Sequence, residues 1–253
     1  MNQRKSILNE KDFLEEVSSR YLNVKSPISK WNIDSYISIY KRWIPAGNKG
    51  DGLELGCSRG YSTICLAPLL RKLVVIDGSK KLIDQARKKI TAPNVEFREG
   101  LFEEIDGGEE EYDFIFCSYI LEHVLEPNEI LAVCHKKLKR NGKLFITVPN
   151  ARALSRQMAL EMGLIGSLYE LTENDMVHGH RRTFDLQSLE SLLKESSFSI
   201  VDIGGTFLKP FADFQLNKMI EAEILGTEQL SGMQKLAEKY PDIAGSIYAI
   251  LKK

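Results

Sequence analysis

Glu54-Leu55-Gly56-Cys57-Ser58-Arg59-Gly60 closes one short apolar run and opens a segment of helical composition. Glycines at such a junction let a ligand approach the main chain, and a helix N-terminus offers unpaired N–H donors. Asp77 stands 21 residues after Gly56, at the end of the next apolar run. A carboxylate there can accept hydrogen bonds from both hydroxyls of a ribose. A glycine turn alone is weak evidence. Combined with a strand-end acid at this distance, it points to a nucleoside-bearing ligand. Glu54 is placed to meet an amino group of that ligand, the plainer reading being a partly buried acid paired with a lysine. For Asp77 the plainer reading is a cap on the helix that starts after Ser79.

A second set of reactive residues lies further along. His123 has the ordinary titration range of a general base, or else it only shapes a pocket. His178-Gly179-His180-Arg181-Arg182 brings two imidazoles and two guanidiniums into five residues. Arginine suits bidentate recognition of phosphate or carboxylate, so this cluster is expected to hold a polar or anionic acceptor. The alternative is a polar turn whose arginines pair with Glu173, Asp175 or Asp185. Tyr119 and Asn150 are further acceptor-side candidates. The histidine spacing matches no HExxH pattern, and no metal is expected. His135, in Cys-His-Lys-Lys, reads as solvated surface.

These residues need a scaffold. Short runs at 52–55, 73–77, 95–97, 112–117 and 143–148 are apolar on both faces and suit a parallel sheet covered by helices. Residues 79–90 begin with a serine cap and carry Leu82, Ile83, Ala86 and Ile90 on one face. Residues 127–139 start at Pro127 and stop before Asn141-Gly142. This alternation predicts an α/β, doubly wound, mostly parallel sheet. Residues 185–196 form an amphipathic helix, 198–203 a strand, 211–240 one or two helices and 246–251 a last strand. Residues 1–49 read as a helical N-terminal cap over one end of the sheet, and 50–253 as the main domain. That domain carries a lid or acceptor segment at 151–183 and a helical insertion at 206–244.

Over residues 50–205, and more loosely over the whole chain, the sequence resembles the class I S-adenosylmethionine-dependent methyltransferases. Leu53–Gly60 is similar to their cofactor loop, and Val75-Ile-Asp77-Gly78-Ser79 to their ribose-binding strand end. Phe97–Glu103 is similar to the stretch bordering adenine, Tyr112–Val124 to a fourth strand followed by Leu-Glu-His-Val, and Asn141–Asn150 to the fifth strand. The resemblance implies a seven-stranded Rossmann-like sheet and S-adenosyl-L-methionine as cofactor. It implies cofactor contacts from Glu54, Gly56, Cys57, Ser58, Gly60, Asp77, Gly78, Ser79, Leu101, Phe102, Cys117 and Ser118. Ser58 stands where glycine is common, a replacement that is tolerated if its φ is negative. Leu101 stands where many members have an adenine-binding aspartate, which leaves Leu101 and Phe102 as apolar or main-chain contacts. Methyl transfer is an in-line displacement in which alignment alone supplies about 7–11 kcal/mol.

Pro149-Asn150-Ala-Arg, His180-Arg-Arg-Thr-Phe184 and Lys209-Pro210 are also similar to methyltransferases of bacterial surface-polysaccharide and small-metabolite pathways. This implies an oxygen acceptor on a sugar, a sugar nucleotide or another phosphorylated compound. Glu-His-Val also occurs in methyltransferases of quinone biosynthesis, whose greasy substrate needs an apolar mouth; residues 153–168 offer one. N-methylation stays open. So do a cofactor-binding sensor, a nicotinamide oxidoreductase and a hydrolase using Ser58 of the G-x-S-x-G pattern.

Composition sets the outer bounds. With 34 Lys plus Arg against 35 Asp plus Glu, the 253-residue chain has a net charge of -1 and no field for gripping nucleic acid. No apolar run reaches the ~20 residues of a membrane span. The start lacks the apolar stretch of a secretory signal. The 4 cysteines form no CxxC pair and read as reduced thiols in a cytoplasmic protein. The expected partner is a small-molecule acceptor, and the sequence sets no oligomeric state.

Overall fold

Strands β1 (Asp51–Leu55), β2 (Lys72–Asp77), β3 (Val95–Glu99), β4 (Tyr112–Ser118), β5 (Leu138–Pro149), β6 (Ser199–Phe207) and β7 (Ser246–Lys252) form a single sheet in the computed structural model. Their order is β3-β2-β1-β4-β5-β7-β6. The first five pair in parallel, while β7 runs antiparallel to both β5 and β6. The structure describes residues 2–22, 26–47, 49–105 and 107–253. Of the expected cap over 1–49, residues 1, 23–25 and 48 lie outside the described residues.

Side chains alternate across a strand, and here the alternation builds two cores. Leu53, Leu55, Val74, Ile76, Ile115, Leu144 and Ile146 face one side, where they meet Ile130, Leu131 and Cys134 of α5 (Pro127–Lys137) and Leu189 and Leu193 of α8 (Leu186–Lys194). Leu73, Val75, Phe114, Phe116 and Phe145 face the other side. There they meet α2 (Pro27–Lys41), α3 (Tyr61–Leu66) and α4 (Lys80–Lys89). Each such buried aliphatic or aromatic side chain contributes about 1.5–3 kcal/mol. Burial on both faces explains why these strands read as unbroken apolar runs.

Local signals set the helix ends. The Ser79 hydroxyl accepts from Leu82 N and starts α4, and Arg87, Lys88 and Lys89 end it where the helix dipole favours cations. A reciprocal Asp185–Ser188 capping box starts α8. The Asn141-Gly142 signal falls elsewhere than expected. α5 stops at Lys137, and Asn141 (φ 63°) makes its left-handed turn within the irregular start of β5.

α1 (Asn2–Leu22) and α2 divide the expected cap between them. α2 lies on the sheet face itself: Tyr36, Ile37, Ile39 and Tyr40 are core residues. The Tyr40 hydroxyl is hydrogen-bonded to Ser118 Oγ (2.9 Å) and Thr147 Oγ1 (2.7 Å), which ties α2 to β4 and β5. The segment after β5 holds α6 (Leu154–Glu161) and α7 (Glu173–Val177). The β6–β7 connection holds α9 (Asp213–Glu221) and α10 (Thr227–Lys239). Among the described residues no helix is long and apolar enough to cross a membrane.

The strand order reverses between β1 and β4, so the crevice for a ligand opens above the C-terminal ends of those strands. Asn150, an acceptor-side candidate, serves the scaffold beside that crevice. Its amide donates to the carbonyls of Asp242 (2.9 Å) and Ala244 (2.8 Å), and its oxygen accepts from Arg152 N (2.9 Å). The residue is 2% exposed. Asn150→Ala is expected to lower the unfolding free energy by about 2 kcal/mol, because two carbonyls lose their donor. Chemical denaturation reads this directly, and an unchanged midpoint with a raised acceptor KM would instead make Asn150 a substrate contact.

Candidate active site

The cofactor-type loop turns through three left-handed residues, Gly56 (φ 74°), Ser58 (φ 43°) and Gly60 (φ 80°). A Cβ on Gly56 would stand 2.6 Å from Ile120 Cδ1, so glycine is required there for space as well as for φ. Ser58 has positive φ, so it does not meet the condition under which it replaces glycine without strain. The reason is the tight reversal from β1 into α3, with the Cys57 and Ser58 N–H groups drawn inward onto Asp77. A non-glycine residue in this region costs about 1–2 kcal/mol.

Asp77 ends β2 and is 7% exposed. Its Oδ2 accepts from Cys57 N (2.9 Å), and its Oδ1 from Ser79 N (2.8 Å). Burial pushes its pKa up, against these N–H bonds. The carboxylate therefore joins the glycine loop to the start of α4. Glu54 is buried too, with its carboxylate accepting from Ser62 Oγ and from Thr63 Oγ1 (2.7 Å). Its partners are hydroxyls rather than the lysine considered from sequence. Burial raises its pKa to about 7.

Apolar groups close around this loop. Phe102 Cζ would lie 3.9 Å from a Cβ at Gly56, and Leu101 Cδ2 3.4 Å from one at Gly78. The two residues thus flank the loop and the ribose-type turn. Leu14 of α1 seats against Gly78, where a Cβ would come within 2.5 Å of Leu14 Cδ1. Ser79 Oγ donates to Glu15 (3.2 Å), a further tie between α1 and this turn.

Two residues expected at the cofactor are placed otherwise. Cys117 is fully buried in the α5–α8 core, on the face opposite Phe116. The Ser118 hydroxyl is bound to Tyr40. Tyr119 follows β4 in the left-handed region (φ 57°), held by a 2.8 Å hydrogen bond to Ser246 Oγ and an edge contact with Tyr36.

The acceptor candidates form a network across the mouth of β4. Arg181 forks onto Glu10 of α1 (2.9 and 3.0 Å), donates from Nε to the His123 carbonyl (2.6 Å) and stacks over Phe13 at 4.7 Å. Arg182 donates to the carbonyls of Leu121 (2.9 Å), Val124 and Leu125 (2.7 Å). Both guanidiniums are engaged within the protein. His178 Nδ1 is bonded to the Asn174 carbonyl (2.7 Å), and its ring meets Tyr21 edge-on. His180 Nδ1 lies 3.4 Å from Asp175 Oδ1, and its ring crosses that of His123 at 4.8 Å. His123 Nε2 stands 3.8 Å from Glu122 Oε1; burial lowers the His123 pKa to about 3 and keeps the ring neutral. Between these groups sits Glu122, 1% exposed, with no hydrogen-bond partner on either carboxylate oxygen. Burial raises its pKa to about 7. His135 packs edge-on against Phe198 at 5.1 Å. The histidine rings thus engage partners other than Ser58, and the hydrolase reading lacks its base.

The family model of the methyltransferase domain matches residues 31–203. The chain belongs to this family, the class I S-adenosylmethionine-dependent methyltransferases. Similar proteins include the ubiquinone biosynthesis O-methyltransferase of Bartonella quintana, 24% identical over 64% of this chain and 65% of that one. The corresponding enzyme of Pasteurella multocida is 26% identical over 69% and 76%. The chain thus spans slightly less than two thirds of the first of these relatives. Among solved structures, a possible histamine N-methyltransferase of Thermotoga maritima superposes with a TM-score of 0.60 at 18% identity, over 87% of this chain and 89% of that one. Phosphoethanolamine N-methyltransferase 2 of Haemonchus contortus, solved with S-adenosylmethionine, gives 0.60 at 16%, over 87% and 52%. At these identities the likeness shows the methyltransferase fold.

The methyltransferase cradle fits its cofactor on internal grounds. Gly56 and Gly60 hold the loop's main chain in left-handed turns between β1 and α3, where a ligand can approach bare backbone, and a buried acid ends β2. Residues that sequence reading missed are Leu14, Ile120, Glu122 and Glu10. Glu122 carried a signal, since it is the acid of the Leu-Glu-His-Val run. Glu10 carried none, because its partner is 171 residues away.

The raised pKa of Glu54 has a testable sign. Its unfolded value is near 4.5 and its folded value about 7, so the stability it confers is full below about pH 4.5 and is lost as pH rises to about 7. Relative to Glu54→Gln, the wild-type unfolding free energy is expected to fall across this window by up to about 3 kcal/mol. Urea titrations at pH 4.5, 6 and 8 test it; parallel profiles for the two proteins would refute it.

Proposed function

We propose that this chain transfers a methyl group from S-adenosylmethionine to an oxygen of a small uncharged acceptor, with a phenol or quinol ring as the first candidate. One observation carries the reading. Arg181 and Arg182, the cations an anionic acceptor would need, are engaged by Glu10 and by main-chain carbonyls. What remains open is the Glu122 carboxylate, a hydrogen-bond acceptor that suits an O–H donor and repels an anion. The similarity to ubiquinone biosynthesis O-methyltransferases supports an oxygen acceptor of this kind. The sugar-phosphate expectation loses its support with the arginines.

Bound S-adenosylmethionine supplies an electrophilic methyl group on a sulfonium. The chain supplies position. Asp77 shapes the loop and offers its carboxylate to the ribose side. Glu54, steadied by Ser62 and Thr63, faces the amino-acid side. The Glu122 carboxylate faces the acceptor side as a hydrogen-bond acceptor, with neutral His123 beside it. Alignment is worth about 7–11 kcal/mol in such a displacement.

Methyl transfer from tritiated S-adenosylmethionine to catechol, and to glucose 6-phosphate for contrast, tests the acceptor class. Product from catechol alone is expected, and product from the phosphate alone would overturn the proposal. Asp77→Ala is expected to raise the cofactor Kd at least about tenfold, one charge-assisted contact being worth 1.5–3 kcal/mol. An unchanged cofactor Kd in that variant would remove Asp77 from the cofactor site.

A further inference from the structure

We propose that Glu122, His123 and His180 bind one divalent transition-metal cation, of the Zn2+ or Co2+ kind, beside the cofactor cleft. Each offers one ligand atom, and these atoms lie within 4.8 Å of one another. Glu122 is the central observation. A carboxylate that is 1% exposed with both oxygens unpartnered is costly, and a cation is the partner that offsets the cost most fully.

The surroundings of the two histidines point the same way. Asp175 Oδ1 stands 3.4 Å from His180 Nδ1 and fixes that ring from behind. Asp175 is itself held by the Thr172 capping box and by Arg156 at 3.1 Å. His180 therefore has Nδ1 turned to Asp175 and Nε2 left over, as in carboxylate–histidine–metal arrangements, and His123 Nε2 stands 3.8 Å from Glu122 Oε1. The two rings meet edge to face at 82°, which keeps both imidazoles beside Glu122.

The nearby cations have other partners. Arg181 binds Glu10, Arg156 binds Asp175, and Arg182 binds the carbonyls of Leu121, Val124 and Leu125. A cavity of about 20 Å3 adjoins Glu122 and His180, enough for one water molecule as a further ligand. Metal–ligand bonds of about 2.0–2.2 Å put neighbouring ligand atoms about 3–3.5 Å apart. Closing from the present separation takes side-chain rotations of about an ångström. Two imidazoles and a carboxylate suit Zn2+, Co2+, Ni2+ or Fe2+ better than Mg2+ or Ca2+. Three protein ligands leave a position open, where a hydroxyl oxygen would bind and release its proton to water more readily. HExxH spacing did not anticipate this set, because His180 comes from another segment.

The site does not depend on the acceptor named above, because binding is read without acceptor. The full chain, stripped with EDTA, is titrated with Co2+ and followed by visible d–d absorption and calorimetry. One equivalent is expected to bind and to be displaced by Zn2+. His180→Ala and Glu122→Gln are each expected to weaken binding at least about 100-fold, and Asp175→Asn about tenfold with the absorption bands retained. Circular dichroism checks that each variant is folded. Should His180→Ala misfold, His180→Gln, which keeps a polar group of similar reach, takes its place. The proposal falls if the wild type binds no equivalent tighter than about 0.1 mM. It falls equally if folded variants at 122 and 180 bind as the wild type does.

Discussion

Asp77 is the group on which the cofactor side of the molecule turns. Its carboxylate sits at the end of a buried strand and takes the N–H groups of Cys57, Ser58 and Ser79. Those three donors belong to two different turns, one after β1 and one after β2. A single acid thus sets the distance between the loop that would cradle the amino-acid half of the cofactor and the turn that would meet its ribose. The left-handed Ser58 follows from the same constraint. The loop must reverse within five residues while presenting its N–H groups to Asp77, and a serine accepts the conformational cost of doing so.

The acceptor side is governed by the opposite situation, an acid that nothing in the protein satisfies. Arginine clusters in a sequence invite an anion, yet here the cluster is satisfied by the protein itself. Arg181 reaches a helix 171 positions away, and Arg182 ties down the carbonyls that follow β4. Their work is to fix the segment that bears His180 against the segment that bears Glu122 and His123. Once that is done, the buried Glu122 carboxylate has no hydrogen bond among the described residues, its nearest ring nitrogen being His123 Nε2 at 3.8 Å. An arginine-bearing loop has thereby become a scaffold for a carboxylate.

Much of the fold was legible because burial on both faces leaves a plain trace. The strand runs and the serine- and proline-started helices appear within a few residues of their expected places. The glycine loop and Asp77 were legible because backbone conformation and strand-end position are local properties. Cys117 was misassigned for a reason the sequence did contain. It shares strand parity with Ile115, which faces the α5–α8 core, and opposes Phe116. The partners of Arg181 and Arg182 were not legible, since nothing local distinguishes a guanidinium held by main-chain carbonyls from one open to a ligand. The convergence of His180 on Glu122 is a tertiary fact of the same kind.

α1 joins the two halves, and this bears on how they work together. Leu14 and Glu15 rest on Gly78 and Ser79, while Glu10 and Phe13 hold Arg181, and Tyr21 donates to the His178 carbonyl. One helix therefore touches the ribose-type turn through one stretch and the acceptor segment through its neighbours. Arg181 in turn donates to the His123 carbonyl, so α1 supports the position of His123 through Glu10 and Arg181. The ribose-type turn and the acceptor segment thus share one supporting helix. The link runs through an ion pair that is three-quarters buried, where a change in contact has real energetic weight.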